Sequence, residues 1–262
     1  MPRIRTLLAA LTAVAVTLTV AGSMPAVAAP APLDTSQHLR ILAIGDSITR
    51  GVGSPTTDGY RAYLTSYLVD VGQYTTTDMV GGLVDGLGPQ PQHEGHGGWR
   101  IDQLTAEAAG WVTTYDPDVV LVMGGTNDAL QGASATTMGN RLRGLLAAIL
   151  TTDPTVRVIV ADLIPPYGSD QKDTASLLSR QFNAQIQAIA DAASPRVSVA
   201  RMTRAVPSRL LADGVHPDDE GYERMAWVWW QCLGPILTAD GITRTGRDPL
   251  PQPVPQTELC TG

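Results

Sequence analysis

Several things are scarce in this 262-residue chain, and each scarcity removes a class of protein. There are two cysteines, and neither lies in a motif that suggests nucleophilic catalysis or zinc. Basic residues are outnumbered 18 to 25, a net charge of -7, so there is no electrostatic footprint for nucleic acid and little attraction to an anionic membrane. Substrates are therefore expected to be neutral, or at least not polyanionic. One phenylalanine and no long apolar lid disfavour lipid aggregates as substrates. Apolar residues near one chain end form the single long hydrophobic run, 7–20, shorter than the ~20 residues a membrane span needs, so no stable membrane anchor is expected. No repeat of the solenoid kind occurs. What remains, 44% hydrophobic and 16% charged, is the composition of a globular domain of ordinary size.

The first residues read as an export signal. Arg3 and Arg5 precede the apolar run, and Ala26-Val27-Ala28 supplies the small residues of a cleavage site. The expected organisation is a signal peptide over 1–28 and a short linker over 29–37. A catalytic domain over 38–237 follows, then a Pro-rich tail over 238–262. In an extracellular protein Cys232 and Cys260 are expected to form one disulfide that ties the tail to the last helix.

Between these ends, short apolar strands alternate with longer helical patterns. Strands are expected at 39–44, 118–123 and 156–163, with weaker ones at 78–80 and 196–200. Helices are expected at 60–71, 101–115, 137–150, 175–193 and 217–237, with Pro217 in the first turn of the last. Nearly continuous apolar strands suit a parallel sheet buried on both faces. The fold class is therefore α/β: a three-layer α/β/α sandwich with a mostly parallel, flavodoxin-like sheet of about five strands. In such folds reactive residues gather at the carboxyl ends of the strands.

Four blocks sit where that rule puts chemistry. Gly45-Asp46-Ser47 follows the first strand, and a serine there can offer both its hydroxyl and its own N–H to a carbonyl. Thr49 rules out the Gly-x-Ser-x-Gly elbow, and on its own Ser47 reads more readily as a helix cap, as serines routinely are. Asp213-Gly214-Val215-His216 supplies an imidazole base and a carboxylate to fix its tautomer. Gly124-Gly125-Thr126-Asn127-Asp128 ends the clearest strand and offers an amide donor that does not titrate. His93-Glu94-Gly95-His96-Gly97-Gly98-Trp99 offers glycine N–H groups that can approach a ligand, or is only a flexible loop before a helix.

Together, in this chain order, the blocks resemble the SGNH (GDSL-type) hydrolase superfamily across residues 41–217. The resemblance implies Ser47 as nucleophile, His216 as general base and Asp213 as its orienting carboxylate. It implies an oxyanion hole from the N–H of Ser47, Gly98 and Asn127, with Gly95 and Gly97 as adjacent alternatives to Gly98. The run from His93 to Leu104 is similar to the second block of carbohydrate esterase family three, which implies a polysaccharide deacetylase acting on xylan. Lipase, phospholipase or thioester hydrolase activity within the same superfamily is the alternative, and a non-catalytic carbohydrate-binding relative the more distant one.

No cofactor or metal is expected. His93 and His96 lie three apart among glycines, where the helical zinc motif needs four. Trp99 and Tyr167 are candidate substrate-binding aromatics, whereas Trp227, Trp229 and Trp230 read as packing residues. Asp46 and Asp128 are expected to satisfy loop N–H groups, and the polar run 168–174 to form a loop. The expected partner is an ester substrate, and the chain is expected to be monomeric.

Overall fold

The computed structural model describes residues 39–70, 77–239 and 258–261, so the expected signal peptide and linker, His38 and most of the Pro-rich tail lie outside the described residues. Among the described residues, five parallel strands form the body of the sheet: β1 (Leu39–Gly45), β2 (Thr77–Val80), β5 (Val119–Met123), β6 (Arg157–Ala161) and β7 (Val197–Ala200). Their order, β2-β1-β5-β6-β7, is the flavodoxin-like arrangement expected. The central strands β1, β5 and β6 are mostly apolar because their two faces bury against different helices. Ile41, Ala43, Val119, Leu121 and Ile159 join one core cluster, and the alternate residues Leu42, Ile44, Val120, Val122 and Val158 join the other.

The first cluster lies under α2 (Tyr60–Asp70) and α8 (Asp219–Ala239), and Trp227, Trp229 and Trp230 of α8 are all buried in it, as packing residues. The second lies under α3 (Ile101–Tyr115), α5 (Ala135–Thr152) and α6 (Asp170–Ala193). In α5 the buried residues Met138, Leu142, Leu145, Leu146 and Ile149 recur at helical spacing, and the Ser134 side chain caps the start by accepting from Thr137 N–H. These three layers place both cores against one sheet.

Three strands lie beyond the expected five. β4 (Gln92–Gly95) pairs in parallel with the last residues of β1, and β3 (Leu83–Val84) runs antiparallel to it, so His93 to Gly95 is strand and not loop. β8 (Cys260–Thr261) adds antiparallel to β7 at the far edge, where Cys260 is bonded to Cys232 of α8 at a Cα–Cα distance of 5.3 Å. In the chain-entropy view a bridge across that loop contributes about 3 to 4 kcal/mol. Two further expectations are corrected. Pro217 precedes the last helix instead of opening it, pairing as a bridge with Leu211 while the Asp218 carboxylate caps α8 through Gly221 N–H at 2.8 Å. Residues from Asp170 onward belong to α6, because the Ser169 side chain caps that helix and Asp170 and Asp173 favour its first turn, so the expected 168–174 loop is mostly helix. Among the described residues no helix is long and apolar enough to cross a membrane.

Candidate active site

Every block singled out in the sequence emerges at the carboxyl side of the sheet. β1 ends at Gly45, where an added Cβ would lie 2.2 Å from Thr49 Oγ1 and 2.3 Å from the Met123 carbonyl, so only glycine lets the chain turn there. The next residue, Asp46, caps the short helix α1 (Ser47–Arg50) by accepting from Ile48 N–H at 2.9 Å. That cap fixes Ser47 as the first helical residue, with its N–H free of any acceptor among the described residues.

The loop before α8 brings the other two groups to it. His216 Nε2 stands 2.8 Å from Ser47 Oγ, and His216 Nδ1 stands 2.8 Å from Asp213 Oδ2. The second Asp213 oxygen accepts from the backbone N–H of Val215 at 2.9 Å and of His216 at 2.8 Å. Partial burial pulls the Asp213 carboxyl upward, but the N–H and imidazole of His216, with the N–H of Val215, outweigh it and hold the group down at about 2. As a carboxylate it can only accept, so it favours the tautomer with the proton on Nδ1, in which Nε2 is the acceptor facing the hydroxyl. The arrangement can take a proton from Ser47. Tyr167, 42% exposed, flanks this loop: its N–H donates to Gly214 O at 2.9 Å and its hydroxyl to Leu211 O at 3.3 Å. Lys172 Nζ donates to Asp213 O at 2.6 Å.

The candidate oxyanion donors come from two other segments, with Gly97 beside Ser47: an added Cβ there would lie 3.9 Å from the Ser47 Cβ. His96 to Trp99 form a tight turn, closed by Trp99 N–H to His96 O at 3.1 Å, with Gly98 at φ 82°. That positive φ at the third turn position is what calls for glycine there, since an added Cβ would meet nothing within 4 Å. The N–H groups of Gly97 and Gly98 have no acceptor among the described residues. Gly95 is different: its N–H already donates to His93 Nδ1 at 2.9 Å, so it drops out as a donor. Asn127 sits on α4 (Thr126–Leu130) after β5, and its amide donates one N–H to Trp99 O at 3.0 Å, which aims the side chain and leaves its second N–H available.

The supporting carboxylates behave as the sequence implies, with one addition. Asp128 accepts from Ile101 N–H at 2.9 Å and pairs with Arg141 at 2.5 Å, tying α4 to α3 and α5. Asp46 is fully buried, and its other oxygen has no hydrogen-bond partner among the described residues. Burial outweighs the Ile48 bond and pushes its carboxyl up to about 6. His93 and His96 face different carboxylates: His93 Nε2 lies 3.3 Å from Asp85, and His96 Nε2 lies 2.8 Å from Glu94. Burial, reinforced by Arg61, brings the His93 imidazole down to about 3 and keeps it neutral, which suits its role as acceptor for Gly95 N–H. Glu94, Trp111 and Lys172 were not singled out from the sequence. Glu94 lay inside a block read for its glycines, and the other two reach the site only through the fold.

Residues 43–224 match the GDSL-like Lipase/Acylhydrolase family, a span that takes in Ser47, Gly98, Asn127, Asp213 and His216. The chain belongs to that family. Similar proteins of this GDSL-type chain include a "Multidomain esterase" of Ruminococcus flavefaciens, 28% identical over 244 residues. The match covers 83% of this chain and 31% of that protein, so the chain spans about a third of its relative's length. Among solved structures, a Clostridium thermocellum family 3 carbohydrate esterase is 29% identical with a TM-score of 0.68, covering 78% of this chain and 98% of that one. A carbohydrate esterase family 3 structure from Talaromyces cellulolyticus is 27% identical with a TM-score of 0.65, covering 77% and 99%. The family is one of carboxylic ester hydrolases, and the block Gly45-Asp46-Ser47 runs from the end of β1 into the start of α1.

Proposed function

We propose that this protein is a secreted serine esterase that removes short acyl groups, acetyl above all, from cell-wall polysaccharide such as xylan. The observation that carries the reading is the relay Asp213–His216–Ser47, with 2.8 Å at each of its two side-chain links. His216 takes the Ser47 proton as Oγ attacks the ester carbonyl carbon. The resulting oxyanion is met by the N–H of Ser47, the Gly97–Gly98 turn and the free N–H of Asn127. Collapse expels the sugar alcohol, which receives the proton from His216, and leaves an acetyl-serine. His216 then removes a proton from water, which attacks the acetyl carbonyl and releases acetate as the serine regains its proton.

Support for the substrate comes from the surroundings and from the two carbohydrate esterase neighbours. Polar side chains near the relay and the neighbouring loops are engaged in hydrogen bonds: Lys172 donates to Asp213 O, Gln171 to Leu130 O and Arg100 to the Gln131 side chain. Such a rim offers donors and acceptors to sugar hydroxyls and little apolar surface to an acyl chain. The N-terminal Arg3-Arg5, apolar run and Ala26-Val27-Ala28 support export.

The test compares acetate release from acetylated xylan with hydrolysis of p-nitrophenyl esters of two to sixteen carbons, for wild type and Ser47→Ala. Acetate release and a sharp two-carbon preference, both lost in the variant, are expected. A preference for long chains would move the substrate to lipids, and no Ser47-dependent turnover would overturn the reading.

A further inference from the structure

The turn that offers Gly97 and Gly98 N–H is a weak place to build an oxyanion hole from. Both glycines are exposed, neither has a side chain to anchor it, and glycine loses more conformational freedom on ordering than any other residue. Donors that stabilise developing charge do so only if they are held in place beforehand. Something must hold this turn.

Its two end residues are gripped from behind. The His96 ring packs in a cluster with two indoles, its centroid 4.1 Å from Trp99 at 20° and 5.1 Å from Trp111 at 9°, the indoles being 6.4 Å from each other. His96 and Trp99 are the first and last residues of the turn, so their stack closes it over the backbone bond between them. Trp111 comes from α3, part of the rigid layer against the sheet, and backs the stack. The imidazole is also held in plane by Glu94, whose Oε2 lies 2.8 Å from His96 Nε2. Glu94 is itself fixed in β4, 3% exposed, with its other oxygen accepting from Gly82 N–H at 2.6 Å. A packed trio of rings would need no carboxylate, and burying one has a desolvation cost that packing alone does not offset. The Trp99 carbonyl, at the end of this unit, is the acceptor that aims Asn127.

We infer that Glu94, His96 and Trp111 are positioning residues for the oxyanion hole, holding the His96–Trp99 turn so that its N–H groups and the Asn127 amide converge on the substrate oxygen. The inference rests on the acyl-enzyme reading above. It assigns a use to the Glu94–His96 pair, which that reading leaves idle.

The experiment measures kcat and KM for p-nitrophenyl acetate with His96→Ala, His96→Phe and Glu94→Gln, each normalised to sites titrated to completion with a fluorophosphonate. Normalisation removes any loss of folded protein. A positioning role predicts that His96→Ala lowers kcat about 10- to 100-fold, less than deletion of a whole donor. KM should stay within about twofold, since ground-state binding is not what the turn provides. His96→Phe, which keeps the stack and loses the Glu94 contact, should recover part of kcat. Affinity for an alkyl boronic acid, whose tetrahedral adduct places an oxygen in the hole, should fall by the same factor as kcat. If His96→Ala gives no titratable sites, Glu94→Gln carries the same comparison. Unchanged kcat per titrated site, or a rise in KM alone, would overturn the inference. Absence of Ser47 labelling in the wild type would instead overturn the acyl-enzyme reading, and this inference with it.

Discussion

Two carboxylates flank the Ser47–His216 pair, one beneath it and one at its rim, and their surroundings drive them in opposite directions. Asp46, under the serine, is fully buried, accepts one backbone N–H and has an oxygen without a partner among the described residues, and its carboxyl is pushed up to about 6. Asp213, at the rim, has a side chain 58% exposed, yet two backbone N–H groups and an imidazole bring it down to about 2. The number of hydrogen bonds to the charged form, and not depth alone, decides which acid stays ionised down to low pH. The exposed one is therefore the fixed anion that can stabilise an imidazolium. The buried one serves the backbone.

The largest expected effect follows from removing the rim charge. Asp213→Asn should keep the fold and lower kcat about 10,000-fold, the size seen when the orienting carboxylate of a serine triad is neutralised. A loss under tenfold would show that His216 is oriented by something else. Next comes a group with no charge at all: Asn127→Ala should lower kcat about 100- to 1000-fold, by the same factor at every pH where wild type works. A pH-dependent deficit would tie Asn127 to one of the two acids and spoil the contrast.

Asp46→Asn should then separate floor from rim, with kcat changed only a few-fold. Because the folded pKa of Asp46 lies above its unfolded value of 3.8, the folded state binds its proton more tightly. Its contribution is most favourable below the unfolded pKa and is lost as pH rises through about 6. The cost above that window is roughly 2 to 4 kcal/mol for a shift of this size. Asparagine keeps the acceptor for Ile48 N–H and never ionises. Its melting temperature relative to wild type should therefore rise by several degrees between pH 4 and pH 7.5. A constant difference would contradict the assignment.

The smallest effect has the opposite sign. Asp213 has a depressed pKa, so its stabilisation is present above 3.8 and lost as pH falls through about 2. Wild type should exceed Asp213→Asn in stability at pH 5, by under about 1 kcal/mol because the group is half in solvent, and the gap should close near pH 2. Denaturant melts across that range measure it.

Much of this architecture is legible in the sequence because strands buried on both faces leave unbroken apolar runs, as Val119–Met123 does. β4 escapes such a reading because it meets β1 through only Glu94 and Gly95, and its composition is that of a loop. β8 escapes it because two residues at an edge carry no periodicity. The Ser47, Asn127, Asp213 and His216 positions stand out because strand ends concentrate chemistry and local spacing brings Asp213 to His216. The stack on His96 does not, since Trp111 arrives from another helix and nothing local predicts the encounter. Within the glycine block, the sequence leaves three donors open, and the hydrogen bond from Gly95 to His93 removes one of them.

The account stands most directly on Ser47 as a nucleophile made reactive by His216. Incubation with a fluorophosphonate, followed by peptide mass spectrometry, tests this on wild type, Ser47→Ala and His216→Ala. One adduct per wild-type chain on the Ser47 peptide is predicted, absent in Ser47→Ala and formed far more slowly in His216→Ala. No adduct in the wild type, an adduct on another residue, or labelling at the wild-type rate without His216 would contradict it.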